Sequence, residues 1–308
     1  MQAGRRRFIT LTAAAGAALM VGRAGAASPG FQWRGNALGA DASLQLYGVS
    51  ERTGRNLVVE CLAEVERLEA VFSLYRQDSS LSRLNREGRL DDAPMELVEL
   101  LSLSRRCSEV SGGAFDVTIQ PLWALYADHF SKPGADPKGP SEEAVVQARR
   151  LVDWRGVAID AGRVSLARPG MAVTLNSVGQ GYVTDKVAEL LRRRGMGHVL
   201  VDMGEINCIG TRPDGSPWQV ALEQGGSLPV SDRAVATSSP EGTRFSPYCH
   251  HIFDPRTGRS STAAAPVSVV AGTATRANAV STAICAGGGG LAKAMITWMP
   301  DARIYRRA

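Results

Sequence analysis

Helical and strand patterns occupy different parts of this chain, and this separation limits its fold more than any other feature. From Leu57 to Phe72, apolar residues recur every three or four positions, which predicts one long amphipathic helix. A second helical pattern starts near Pro94 and ends at Gly112–Gly113. The second half instead carries short apolar segments bounded by Gly, Pro or Asp. Because strand and helix do not alternate regularly, the sequence predicts an α+β fold and not a doubly wound sheet.

Local periodicity and turn residues indicate the remaining elements. Residues 73–90 are interpreted as a polar loop, and residues 131–140 as a Pro/Gly-rich loop. Further helices are expected in a short segment capped by 141–143, at 179–194 and at 275–286. Strands are expected at 42–47, 157–159, 164–166, 199–202, 218–222, 234–237, 267–271 and 303–305.

The net charge of +5 lies mostly in the first 26 residues, which carry four arginines and no acid. Gly4 to Thr10 is a twin-arginine pattern, an apolar run extends from Leu11 to Gly22, and small residues follow at Ala24–Ala26. We therefore expect residues 1–26 to be a twin-arginine export signal and residues 27–308 to form one periplasmic domain. Without that signal the net charge is +1, and only 6% of all residues are aromatic, so a nucleic-acid-binding module is disfavoured.

Cysteines and histidines give mainly structural expectations. The five cysteines are far apart, odd in number and without a C-x-x-C pair, so no disulfide is expected. His250 and His251 are adjacent, and neighbouring side chains of extended backbone point to opposite faces. One inward and one outward histidine is therefore expected, and not a two-histidine metal site.

Four clusters place small residues beside hydroxyls, amides or an acid at element boundaries. They are Phe72 to Asn85, Ser111 to Thr118, Leu175 to Asp185, and His250 to Gly258 together with Ala277 to Thr282. Small residues allow close backbone approach, and exposed donors at a helix start suit an anionic ligand such as a pyrophosphate. Asn278 and Thr282 are four apart, hence on one helix face, where their oxygens suit Mg²⁺. Each cluster alone is also compatible with ordinary turn and cap chemistry.

Taken in order, these clusters resemble the ApbE family of FAD:protein FMN transferases over nearly the whole mature chain. The resemblance implies a bilobal fold in which antiparallel sheets pack against helices. It also implies an enzyme that uses FAD and Mg²⁺, transfers the FMN moiety to a Ser or Thr hydroxyl of an acceptor flavoprotein, and releases AMP.

The resemblance further assigns roles to individual residues. His251 and Asp254 match the segment beside the reacting phosphate, and either is the candidate base. Residues expected to contact the cofactor are Leu38, Tyr75, Ala114, Phe115, Asp116, Thr174, Gln180 and Ile252. Residues expected to bind the metal are Ser177, through its carbonyl, Asn278, Ser281 and Thr282.

This chain departs from the family pattern at two positions, because Asn278 and Thr174 stand where relatives usually have Asp. Hard cations prefer carboxylates, so Asn278→Asp is expected to tighten Mg²⁺ binding in the presence of FAD. Two alternatives use the same site: a non-catalytic FAD carrier that assists assembly of a respiratory complex, and an FAD pyrophosphatase.

Asn176 to Tyr182, Asp202 to Ile206 and Pro213 to Trp218 resemble the branch accessory to nitrous oxide reductase maturation. The resemblance to that branch implies, as acceptor, a flavoprotein of a membrane respiratory or electron-transfer complex.

Overall fold

The structure, a computed structural model, describes residues 30–160, 162–263 and 265–306. The predicted export signal at residues 1–26 lies outside the described residues. The helices are α1 (Glu51–Phe72), α2 (Ser80–Glu87), α3 (Met95–Val110), α4 (Gln120–Phe130), α5 (Glu142–Arg149), α6 (Gly179–Arg193), α7 (Ala274–Gly287) and α8 (Ala292–Trp298). The strands are β1 (Phe31–Ala37), β2 (Ala40–Leu46), β3 (Arg89–Leu90), β4 (Val157–Asp160), β5 (Arg163–Leu166), β6 (Val199–Asp202), β7 (Ile206–Ile209), β8 (Trp218–Ala221), β9 (Ser227–Val230), β10 (Ala234–Ser238), β11 (Phe253–Asp254), β12 (Arg259–Ser260), β13 (Val267–Ala271) and β14 (Arg303–Arg306).

One antiparallel sheet of seven strands organises the molecule, in the order β1-β2-β6-β7-β10-β13-β14. Alternate side chains of each strand face opposite sides of this sheet. Val199 and Val201 of β6 therefore enter the main core, which the sheet forms with α1, α6 and α7, whereas Leu200 packs with Trp218 on the other face. Helix α7 packs on the half of the sheet that contains β10 and β13.

A second, smaller lobe is built from α4, α5 and the segment that leads into β11. Its core contains Leu122, Tyr126, Val145, Cys249 and Phe253, and the rings of Tyr126 and Phe253 lie 4.6 Å apart. The predicted α+β class with antiparallel sheets is confirmed. All five cysteines are buried and free, as expected from their spacing. None of the described helices is long and apolar enough to span a membrane.

The interpretation of residues 73–90 as a loop is wrong in its second half, which forms α2. The Ser79 hydroxyl accepts a hydrogen bond from the Ser82 N–H and caps the helix, and Gly88 ends it with φ of 70°. Leu81 and Leu84 are buried on one side of this short amphipathic helix of about two turns. The pattern was too short to be recognised as helical, because only two apolar positions mark the buried face.

Candidate functional site

A buried aspartate fixes the start of α7. The Asp185 carboxylate accepts hydrogen bonds from the Ala274 N–H at 2.7 Å, from the Thr275 N–H at 2.9 Å and from the Thr275 hydroxyl at 2.6 Å. These bonds satisfy N–H groups that have no partner within the helix. Gly181 lets α6 approach closely, because a Cβ there would lie 2.6 Å from the Ala274 carbonyl oxygen. The third and fourth sequence clusters therefore meet at this helix terminus.

One turn further along α7, Asn278 contacts a buried glutamate. The Asn278 Nδ2 donates to Glu205 Oε1 at 2.7 Å, while the Asn278 Oδ1 is buried and has no hydrogen-bond partner. Burial raises the pKa of Glu205 well above its usual value, the Thr237 N–H acts against this, and Asp202 and Asp185 raise the pKa further. Asn278 thus donates its amide N–H to an acidic side chain and leaves its own amide oxygen unsatisfied.

A group of hydroxyls follows Asn278 on the same side of α7. The Ser238 hydroxyl, at the end of β10, lies 2.8 Å from the Ser281 hydroxyl and 3.0 Å from the Thr282 hydroxyl. Ser281 is fully buried and donates to the Asn278 carbonyl, so the geometry gives it a supporting role for the helix. Thr282 is less buried than Ser281 and shares the face of Asn278, as its spacing predicts.

Two loops of the predicted cofactor set are joined through their backbones. The Thr174 N–H donates to the Val117 carbonyl at 2.8 Å. The Asn85 side chain binds both backbone groups of Val173, accepting from its N–H at 2.6 Å and donating to its carbonyl at 2.8 Å. The first and second sequence clusters are therefore both held by hydrogen bonds to residues 173–174, which directly precede the third cluster.

Asp116 holds its own loop in place through hydrogen bonds. Its carboxylate accepts from the Thr118 N–H at 2.8 Å, the Thr118 hydroxyl at 2.6 Å and the Trp154 N–H at 3.0 Å. Burial raises its pKa to about 6 although these hydrogen bonds act to lower it. Both carboxylate oxygens already have protein partners, so Asp116 shapes the loop, and the neighbouring Ala114 and Phe115 are buried beside it.

Ser177 and Gln180 lie at the turn into α6. Among the described residues no backbone hydrogen bond ends on the Ser177 carbonyl, so this oxygen is available to a ligand. Gln180 packs over Gly204, where a Cβ would lie 2.8 Å from its Nε2 and where φ is 98°. Only glycine suits this conformation and this contact. The turn that carries Glu205 is thereby brought against the start of α6.

The two adjacent histidines differ in their exposure to solvent, as expected. His250 is buried, and its Nε2 bonds the Ser261 carbonyl, while Nδ1 accepts from the Ile252 N–H. His251 is partly exposed, and its Nδ1 lies 3.1 Å from the Thr243 carbonyl. Because a carbonyl can only accept, Nδ1 carries the proton and Nε2 of His251 keeps its lone pair. Burial lowers the pKa of His251 to about 4, so the ring is neutral near pH 7.

Asp254 is arranged differently from His251. Its carboxylate receives the Arg256 guanidinium at 2.8 Å and the Arg256 N–H at 2.9 Å. Burial acts to raise the pKa of Asp254, but the hydrogen bonds from Arg256 outweigh it and lower the pKa. Both carboxylate oxygens of Asp254 are thus occupied by the Arg256 guanidinium, whereas the Nε2 lone pair of His251 is not used for the bond to Thr243. Of the two candidates, His251 therefore has the geometry of a base, and Asp254 forms the turn between β11 and β12.

The remaining predicted cofactor residues lie at different depths. Tyr75 is 66% exposed in the loop after α1, and its N–H donates to the Ser73 hydroxyl. Leu38 occupies the tight turn between β1 and β2 with φ of 53°, and its N–H donates to the Glu69 carboxylate at 2.9 Å. Ile252 is buried in the main core. An exposed aromatic ring such as Tyr75 is free to stack on a planar ligand.

The residues present fit a hard divalent cation only together with an anionic ligand. The described residues contain no group of three His, Cys, Asp or Glu side chains that could hold a metal alone. They do offer the unpartnered Asn278 Oδ1, the Ser177 carbonyl and the Thr282 hydroxyl, which are oxygen donors of the kind Mg²⁺ uses beside phosphates. The orphaned, buried Oδ1 is the feature that a cation would satisfy.

Fold and site together define a class: α+β proteins in which oxygen atoms are grouped along a helix that packs on an antiparallel sheet. The chain belongs to the ApbE family, whose model matches residues 38–304. This confirms the resemblance found in the sequence.

Several relatives and solved structures are similar to this chain. The FAD:protein FMN transferase of Klebsiella pneumoniae (strain 342) is 26% identical over 271 residues, which cover 81% of this chain and 76% of that protein. The transferase of the same name from Vibrio cholerae is 28% identical over 234 residues, 70% of this chain and 68% of that protein. The flavin transferase ApbE from Vibrio cholerae superposes with a TM-score of 0.75 at 25% identity, covering 91% and 98% of the two chains. The apo flavinyl transferase ApbE of Pseudomonas stutzeri has a TM-score of 0.75 at 27% identity, covering 90% and 91%.

Two residues of the site were missed in the sequence, Glu205 and Ser238. Glu205 is the one acid between the buried strands β6 and β7, so an acid close to Asp202 within an otherwise apolar segment was the available signal. Ser238 follows the apolar part of β10, and its role became visible only when the sheet placed it beneath α7.

Proposed function

We propose that this protein transfers the FMN moiety of FAD to a Ser or Thr hydroxyl of an acceptor flavoprotein and releases AMP. Membership of the ApbE family and the transferases among its relatives support this reaction. The observation that carries the catalytic step is His251, a neutral histidine with its Nδ1–H fixed on a carbonyl and its Nε2 unprotonated. A protein that only carried FAD would not need a base of this kind.

The reaction breaks the bond between the FMN phosphorus and the oxygen that bridges it to AMP. The acceptor oxygen forms the new phosphoester bond, its proton passes to His251 Nε2, and AMP leaves with the bridging oxygen. Asp116 and Asn85 keep the loops that would enclose FAD in place through their hydrogen bonds. Asp185 holds α7, so that Asn278 and Thr282 remain fixed relative to the loops.

We further propose Mg²⁺ as the metal, held by the Ser177 carbonyl, Asn278 Oδ1 and the Thr282 hydroxyl beside the phosphates of FAD. When bound, it neutralises charge that develops on the leaving phosphate. Asn278 is uncharged, so this protein donor set depends on the FAD phosphates for much of its attraction to a cation.

The test is an incubation of residues 27–308 with FAD, Mg²⁺ and a candidate acceptor domain, followed by mass spectrometry of the acceptor. Covalent FMN on one Ser or Thr, with AMP released in equal amount, is the expected result. Free FMN formed without any acceptor would indicate an FAD pyrophosphatase. FAD that stays bound and intact would indicate a carrier and would contradict the proposed transfer.

The acceptor and the compartment are part of the same proposal. We propose a flavoprotein of a membrane respiratory or electron-transfer complex as acceptor, and the flavoprotein of nitrous oxide reductase maturation is the first one to test. The Asp202 to Ile206 segment supports this choice through its resemblance to that branch. The twin-arginine pattern supports export to the periplasm. Replacing Arg5 and Arg6 by lysine should keep the protein in the cytoplasmic fraction, and unchanged export would argue against this route.

A further inference from the structure

Glu205 is a buried acid without a basic partner. It lies in the turn between β6 and β7, is 7% exposed, and forms no salt bridge with any Lys, Arg or His of the described chain. Its carboxylate is bonded by the Asn278 amide and by the Thr237 N–H, both of them neutral donors. Asp202 and Asp185 add further negative charge nearby. A buried carboxyl group is unfavourable in its charged form unless it is paired or lies beside a metal, so a cation is the partner that this region lacks.

The contact with Glu205 also decides which way the Asn278 amide faces. Its Nδ2 is directed to Glu205 at 2.7 Å, so its Oδ1 must point elsewhere, and that oxygen is buried without a partner. Asn278 is only 4% exposed, so water does not reach the oxygen from bulk solvent. An unsatisfied buried acceptor is rare and destabilising, which makes a missing ligand the simplest explanation.

We propose that Glu205 takes over the function of an acid at position 278, by supplying the negative charge of the divalent-cation site and by holding Asn278 so that its Oδ1 faces the cation. The negative charge of the site then lies on Glu205 in the β6–β7 turn instead of on α7. One hydrogen bond joins Glu205 to the Asn278 amide, whose oxygen binds the cation. Glu205 is accordingly a positioning residue that acts through Asn278. This inference rests on the proposed function, because it concerns the cation that binds with FAD.

Charge and hydrogen bonding are separable at this position. In Glu205→Gln the side-chain carbonyl still accepts from the Asn278 Nδ2, so the amide keeps its orientation and only the charge is lost. In the double variant Glu205→Gln, Asn278→Asp the charge returns on α7, and the new glutamine amide donates to the new carboxylate. Glu66→Gln is the matched control, because Glu66 is exposed on α1 and the change removes one charge from the surface.

The experiment titrates Mg²⁺ into each FAD-loaded protein by calorimetry and records thermal unfolding of each protein without FAD or metal. Loss of a residue that orients a metal ligand lowers metal affinity by about 10- to 100-fold. Glu205→Gln should show this loss, the double variant should return to within about threefold of the wild type, and Glu66→Gln should not change. Metal-free Glu205→Gln should melt at the wild-type temperature or above it, because a buried ionisable group has been removed.

Two results would overturn the inference: wild-type Mg²⁺ affinity in Glu205→Gln, or a loss of affinity accompanied by a lower melting temperature that the added aspartate does not rescue. If the double variant does not fold, the single variant alone decides between these outcomes. Failure of the proposed function has a different signature, because then the wild-type protein itself would bind no Mg²⁺ in the presence of FAD.

Discussion

His251 combines a fixed tautomer with a low pKa, and this combination makes its contribution to the reaction measurable. We expect His251→Gln to lower kcat by about 100- to 10,000-fold, the usual contribution of a general base. Asp254→Asn should have a smaller effect, because Asp254 is ion-paired with Arg256 and forms a turn. Rates of FMN transfer to a fixed acceptor measure both changes. Equal losses in the two variants would contradict the assignment of His251 as the base.

The pKa of His251 also predicts how stability depends on pH. Its folded pKa is about 4, below the usual value of 6.5, so the unfolded chain binds more protons between these two pH values. Stability should therefore fall as the pH is lowered from about 6.5 to about 4. Asp116 changes the stability in the opposite direction with pH, because its folded pKa of about 6 lies above its ordinary value of 3.8. The stability that Asp116 contributes is present at low pH and is lost as the pH rises through about 6.

Denaturant melts of wild type and His251→Gln across pH 4–8 separate these two contributions. The two proteins should differ by a constant amount above about pH 7, and His251→Gln should lose less stability than wild type on the acid side. Parallel curves over the whole range would contradict the lowered pKa of His251.

The close packing of α6 on α7 depends on Gly181, because glycine has no side chain. Gly181→Ala would place a methyl group 2.6 Å from the Ala274 carbonyl oxygen, in backbone that cannot move without displacing the capped start of α7. Overpacking of this kind destabilises proteins by about 1–3 kcal/mol. Gly197→Ala is the control, because nothing lies within 4 Å of a Cβ at that position. Urea unfolding should show a loss only for Gly181→Ala, and equal effects would contradict the close contact.

Hydrophobic periodicity in the sequence was sufficient to predict the long helices and the central strands. The periodicity from Leu57 to Phe72 predicted most of α1, whose start at Glu51 is fixed by the Ser50 cap. Shorter elements such as α2 and α8 present only one or two buried side chains each, so periodicity is too weak to identify them. The Asn278–Glu205 contact joins residues 73 positions apart, and only the sheet order brings them together.

At the scale of the whole molecule, the site is assembled from segments that span nearly the entire described chain. Asn85, Thr174, Asp185 and Asn278 each form hydrogen bonds to residues far away in the sequence. A ligand that contacts several of these segments at once stabilises the folded state as a whole, because it binds the assembled site and not the unfolded chain.

We therefore expect FAD and Mg²⁺ to raise the melting temperature together more than the sum of their separate effects. At a ligand concentration of 100 times Kd, the stabilisation is about 2.7 kcal/mol. For a domain of this size, that corresponds to a shift of about 5 °C. Mg²⁺ alone should shift the melting temperature little, because the described residues contain no metal-binding group of three acidic, His or Cys side chains. The measurement is a melting series with FAD, with Mg²⁺ and with both, and AMP with Mg²⁺ serves as the control that lacks the pyrophosphate. A full shift with Mg²⁺ alone would show that the protein oxygens suffice for the cation, and simple additivity would show that the two ligands occupy independent sites.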